Sequence, residues 1–97
     1  MKKTRPALVI QNDIANAVSP NTIVAAIHHE NFKRLPVHVS VPAGMAGLTK
    51  NSVIDLGYIR TIPQRVLGRK IGSLPEKTVA AVEQAIRISF GLAEINA

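Results

Sequence analysis

The chain has 97 residues, 46% of them apolar and 19% charged, with no cysteine and with twelve Lys and Arg against six Asp and Glu for a formal charge of +6. That length holds one domain across residues 1–97, the composition excludes a disordered chain, and the missing thiols exclude a disulfide framework, a thiolate metal site and a cysteine nucleophile. The positive charge is split evenly between the two halves of the chain, so it describes a basic surface with an attraction for polyanions rather than a basic tail.

Along the chain, the first apolar run follows Pro6 and stops at Ile10, which is too short for a secretory signal, and no stretch reaches the roughly 18 apolar residues of a membrane-spanning helix. A soluble protein of the cytoplasm, with no membrane partner, is expected. Residues 7–10 read as a short strand and residues 11–20, rich in Asn, Ser and Pro, as a long loop. Residues 22–27 form a second compact apolar run, read as a buried strand. Val37, Val39 and Val41 alternate with His38 and Ser40 between Pro36 and Pro42, the period-2 pattern of a half-buried strand. Residues 43–48 read as a Gly-containing loop, and residues 52–62 resume strand character with a bulge at Gly57. Residues 63–67 suit a single helical turn, and residues 70–72 a brief strand. The last element is a helix: Ser73 and Glu76 have the spacing of a capping box, Val79, Val82, Ile86 and Phe90 recur at helical spacing, Glu83 and Arg87 form an i,i+4 pair, and Gly91 suits the stop. These elements predict an α+β, mainly β, fold: a small barrel or sheet with a C-terminal helix.

The glycines fit no phosphate-binding loop, and His28, His29 and His38 lack the closely spaced partners of a zinc motif, so neither a cofactor nor a metal is expected. Six scattered acids support two-carboxylate chemistry poorly. Arg with His remains, a combination suited to phosphodiester transfer without metal: guanidinium binds phosphate through a planar fork, and imidazole, with an unperturbed pKa of about 6.5, moves protons near neutrality. Arg5 precedes one predicted strand and His28 follows another, so both could sit at strand ends beside one groove. Taken singly, Arg5 also reads as a solvated terminal charge and His28 as a loop polar residue.

Longer stretches carry a resemblance. Arg5-Pro6-Ala7-Leu8-Val9-Ile10-Gln11-Asn12-Asp13 is similar to the R-P-x-L-V-I-x-N-D segment of MazF/PemK (Kid) toxins, and residues 19–27 to the segment that follows it. Leu35-Pro36-Val37-His38-Val39 resembles the family's L-P-x-H-V strand, Leu48-Thr49-Lys50-Asn51-Ser52-Val53-Ile54 its L-x-K-D-S-V run, and Ile59-Arg60-Thr61-Ile62 its I-R-T-I/V-D motif. Residues 67–74, the helix and Ser89-Phe90-Gly91-Leu92 resemble its C-terminal third. The pieces run in family order over nearly the whole chain.

The resemblance implies an SH3-like barrel of CcdB/MazF type with a C-terminal helix, a homodimer, a cognate antitoxin protein over the RNA groove, and no metal. It implies the toxin of a type II toxin-antitoxin system, an mRNA interferase that cuts single-stranded RNA by 2′-OH attack to leave a 2′,3′-cyclic phosphate. Arg5 aligns with the catalytic arginine. The position that carries Thr or Ser in the family is His28, an imidazole able to act as acid or base. Tyr58, Arg60, Lys33 and Arg34 are the expected RNA-binding residues, with Gly57 and Tyr58 standing where an acidic residue and Gln are usual. Family members carry a further strand and Gly-rich loop ahead of the arginine, whereas Met1 to Thr4 precede it here; an N-terminally short domain of this kind is expected to leave a sheet edge for a second chain to cover. Two rival readings share the ancestry: an inactive binding module for antitoxin or RNA, and a gyrase poison, since CcdB toxins share the fold.

Overall fold

Four antiparallel strands, β1 (Ala7–Val9), β2 (Asn21–His29), β3 (His38–Val41) and β4 (Ser52–Pro63), form a curled sheet in the order β1-β2-β4-β3 in the computed structural model, which describes residues 4–29 and 35–93. Two helices join them, α1 (Asp13–Val18) and α2 (Glu76–Ser89). The α+β, mainly β, half-barrel with a C-terminal helix agrees with the fold class expected from sequence. No helix among the described residues is long and apolar enough to cross a membrane.

Alternation decides which face is buried. Val39 lies opposite Ile54, and Ile54 opposite Ile27, so these apolar residues share one side of the sheet. The amphipathic helix α2 covers that side, packing Val82 and Ala85 against Ala25, Val39, Val41, Ile54 and Leu56. Ile54 and Leu56 are fully buried, and each such side chain contributes about 1.5–3 kcal/mol relative to exposure. Gly91, at φ +72°, ends α2. Its N–H donates to the Ile88 carbonyl at 3.1 Å and that of Leu92 to Arg87 at 2.7 Å, so two of the helix's last carbonyls are satisfied.

The expected irregularity at Gly57 is a real break in the ladder. Ala25 pairs with Ile59 but Ala26 pairs with Asp55, which leaves Leu56, Gly57 and Tyr58 outside the β2–β4 register. Leu56 turns into the core while its N–H donates to the Val37 carbonyl at 2.9 Å; Tyr58 is thrown outward and stays half exposed.

Five expectations need correction. Within the predicted 11–20 loop lies α1, capped by Asn12, whose side chain accepts from the Ala15 N–H at 2.8 Å. Its apolar residues Ile14 and Val18 are both 82% exposed, so no buried face betrays it. Ser73 does not cap α2: the N-cap is Pro75 without a side-chain bond, because the residue before a proline is held out of the helical region and Leu74 cannot open the helix. Residues 70–72 are not a strand. Val79 and Phe90 stay exposed, since the inward stripe of α2 runs through Val82 and Ala85, and among the described residues Glu83 and Arg87 do not close into an ion pair. The single turn after β4 is present at Gln64–Val66, and Gln64 anchors α1 by donating to the carbonyls of Asn16 and Ser19 at 2.8 and 2.7 Å.

Candidate active site

The sheet face turned away from α2 carries an open cleft of about 330 Å³. Its floor is small because Ala7, Val24 and Ala26 alternate outward from β1 and β2; its rim is made by Arg5, His28, Tyr58 and Arg60. Each rim residue has a distinct structural origin. The antiparallel register sets Ala7 opposite Ala26, so Arg5, two residues before Ala7, comes level with His28, two residues after Ala26. Val24 is paired with Arg60, which fixes the second guanidinium across β2. Tyr58 reaches the rim only because the ladder breaks beside it. Thus four of the six expected site residues share one cleft, two of them exposed arginines, and among the described residues none that line it is acidic. Lys33 and Arg34 lie outside the described residues.

His28 is held from two sides. Its Nε2 lies 3.3 Å from Asp55 Oδ2, and its ring meets Tyr58 edge-on with centroids 6.1 Å apart. The other oxygen of Asp55, Oδ1, lies 3.4 Å from His38 Nε2 and accepts the Gly57 N–H at 2.9 Å. These imidazole contacts are long, so they orient the rings more than they bind them. His38 is nearly buried, its side chain 4% exposed, and its Nδ1 accepts the Leu35 N–H at 2.9 Å. Among the described residues no group of three or more His, Cys, Asp or Glu is disposed to hold a metal ion.

Asp55 is the residue that sequence reasoning missed. A lone carboxylate in the apolar run Val53-Ile54-Asp55-Leu56 was the available signal, but its partners follow from the register, which places Asp55 opposite His38 and two residues along β4 from Val53, the partner of His28.

The cleft combines two guanidinium groups with an imidazole held by a carboxylate, a set able to bind a phosphodiester and move a proton beside it. Known proteins resemble this chain in sequence or in fold. Residues 1–90 match the model of a family described as PemK-like, MazF-like toxins of type II toxin-antitoxin systems. The endoribonuclease EndoA of Bacillus subtilis is 46% identical over 89 residues, covering 91% of this chain and 77% of that protein. The Mycobacterium tuberculosis toxin MazF-mt6 superposes with a TM-score of 0.84 at 31% identity, covering 93% of this chain and 89% of that one. A mycobacterial endoribonuclease solved in complex with its cognate antitoxin shares the fold at a TM-score of 0.82 and 16% identity, covering 94% of this chain and 84% of that one. This chain belongs to the PemK-like, MazF-like toxins of type II toxin-antitoxin systems.

Proposed function

We propose that this toxin acts as an endoribonuclease on single-stranded RNA without a metal ion, with Arg5 and His28 carrying the chemistry. The observation behind this reading is the convergence of Arg5, His28 and Arg60 on one cleft that, among the described residues, no acid lines. The 2′-oxygen of a ribose attacks the adjacent phosphorus as His28 takes its proton; the P–O5′ bond breaks, and the leaving oxygen takes a proton from water. The products are a 2′,3′-cyclic phosphate and a 5′-OH end. Arg5 donates to the non-bridging oxygens, whose charge grows in the transition state. Arg60, Lys33 and Arg34 hold the flanking phosphates, and Tyr58 offers a ring to a base.

The partners belong to the same proposal. A cognate antitoxin protein covers the cleft, by analogy with the antitoxin complex of a structural neighbour. A homodimer is supported by apolar side chains that the single chain leaves exposed, Val66, Leu67 and Ile71 among them. The cytoplasm is where mRNA and such an antitoxin would be met.

The test is incubation of the purified chain with a long single-stranded RNA in EDTA, beside Arg5→Ala and His28→Ala, with analysis of the RNA ends. Cleavage to cyclic phosphates by the wild type, abolished in Arg5→Ala and reduced about 10²–10⁴-fold in His28→Ala, is expected for a lost transition-state cation and a lost base. RNA left intact by a folded preparation would favour a binding module instead, and the search would turn to its partner.

A further inference from the structure

The contacts around Asp55 go beyond phosphate binding and proton transfer at the cleft. Asp55 is half-buried below the rim, its side chain 17% exposed, and each of its oxygens is assigned by what surrounds it. The chain of assignments starts at Leu35. Its N–H donates to His38 Nδ1, so a neutral His38 carries its proton on Nε2 and directs it to Asp55 Oδ1. The same oxygen accepts from the bulge N–H of Gly57. Oδ2 is left facing His28 Nε2 at 3.3 Å. A carboxylate only accepts, so a neutral His28 must carry its proton on Nε2 and keep its lone pair on Nδ1.

From this geometry we infer that Asp55 is the positioning residue of His28: it sets the imidazole's tautomer and orientation, and it stabilises the imidazolium formed when His28 takes the 2′-OH proton. The inference rests on the nuclease reading above. Physically it is the arrangement in which a buried carboxylate holds a basic histidine in one tautomer without itself taking the proton. Charged and titratable groups reach His28 from three directions. Asp55 and Tyr58 approach from β4, Arg5 and Arg60 line the same cleft, and His38 of β3 acts through the shared carboxylate. Asp55 sets a negative charge beside the imidazole in a cleft rimmed by two arginines, so it favours formation of the imidazolium. The break in the β2–β4 ladder serves this arrangement, because the Gly57 N–H it frees is bonded to Asp55.

The experiment is a double-mutant cycle on the full chain, with single-turnover and steady-state cleavage of a defined RNA in EDTA by the wild type, Asp55→Asn, His28→Ala and the double variant. The amide of Asp55→Asn keeps an oxygen for the Gly57 N–H but turns a donor toward His28, which opposes the wild-type tautomer. Expected are a kcat at least tenfold lower with KM unchanged in Asp55→Asn, and no further loss when Asp55→Asn is added to His28→Ala. Nitrogen-15 NMR of the wild-type ring, under mildly alkaline conditions, should show the proton of His28 on Nε2. That reading needs no variant and stands even if Asp55→Asn does not fold. Three results would overturn the inference: an unchanged kcat in Asp55→Asn, an equal loss with and without the imidazole, or an Nδ1–H tautomer in the wild type. Each of these leaves the nuclease reading intact provided the wild type cuts. A wild-type chain that leaves the RNA whole overturns both.

Discussion

Tyr58 stands edge-on to His28, the two ring planes at 90° and the centroids 6.1 Å apart. An edge-to-face pair occupies at most one face of one ring, so an aromatic face remains for an RNA base beside the imidazole. Base stacking on such a ring is worth about 1–3 kcal/mol by alanine substitution. We expect Tyr58→Ala to weaken binding of a 2′-O-methyl RNA, which cannot be cut, by about fivefold to a hundredfold, and Tyr58→Phe to bind nearly as wild type. Fluorescence anisotropy reads both; equal affinities for all three proteins would remove Tyr58 from the RNA surface.

Arg60 of β4 lies opposite Val24 of β2, on the rim of the cleft. If it holds a phosphate, Arg60→Ala should weaken RNA uniformly across sequences and reduce the slope of log K against log salt by about 0.7. Binding isotherms over a salt series measure this. A slope unchanged from wild type would assign Arg60 to fold stability alone.

Asn16 closes a polar network between α1 and the sheet. Its Oδ1 accepts from Thr22 Oγ1 at 2.6 Å and Gln11 Nε2 at 2.8 Å, and its Nδ2 donates to the Gln11 carbonyl at 2.9 Å. Thr22 is 1% exposed, so Asn16→Ala strands a buried hydroxyl. The predicted cost is about 1–3 kcal/mol in urea unfolding, with the m-value unchanged. Asn16→Asp keeps the acceptor for Thr22 and should lose less. Equal stability of Asn16→Ala and wild type would show that water replaces the network.

Residues 46–47 and 71–72 pass each other backbone against backbone. A side chain at Gly72 would run into the Ala46 carbonyl and one at Gly47 into that of Ile71, whereas a Cβ at Gly68 meets nothing within 4 Å. Gly72→Ala should therefore lower stability by about 1–3 kcal/mol through overpacking. Gly68→Ala should be neutral or stabilise slightly by stiffening the unfolded chain, by up to about 1 kcal/mol. Thermal melts of the two variants decide it, and a Gly72→Ala protein as stable as Gly68→Ala would mean that the crossing loosens readily.

Much of this molecule is legible in the linear chain where the governing interaction is local or periodic. The alternation of Val37, Val39 and Val41 announces β3, the spacing of Val82 and Ile86 announces α2, and Gly57 inside an apolar run announces the break in β4. α1 escaped because its cap, Asn12, is local but its apolar residues face outward, leaving no periodic burial to detect. Ser73 misled because a capping box is judged by spacing, while the conformation imposed ahead of Pro75 overrides it.

At the cleft, Arg5 and His28 can be named from their motifs and from the chemistry of their side chains, because residue type sets what a guanidinium and an imidazole can do. Their meeting is a different matter. It requires that β1 and β2 pair with Ala7 opposite Ala26, and Asp55 joins them only because the β2–β4 register shifts after Ala25 and sets it between His28 and His38. Residue chemistry and period belong to the chain read one position at a time. Strand register comes from the packing of whole faces against α2, and a one-residue slip would send each side chain of the affected strand to the opposite face.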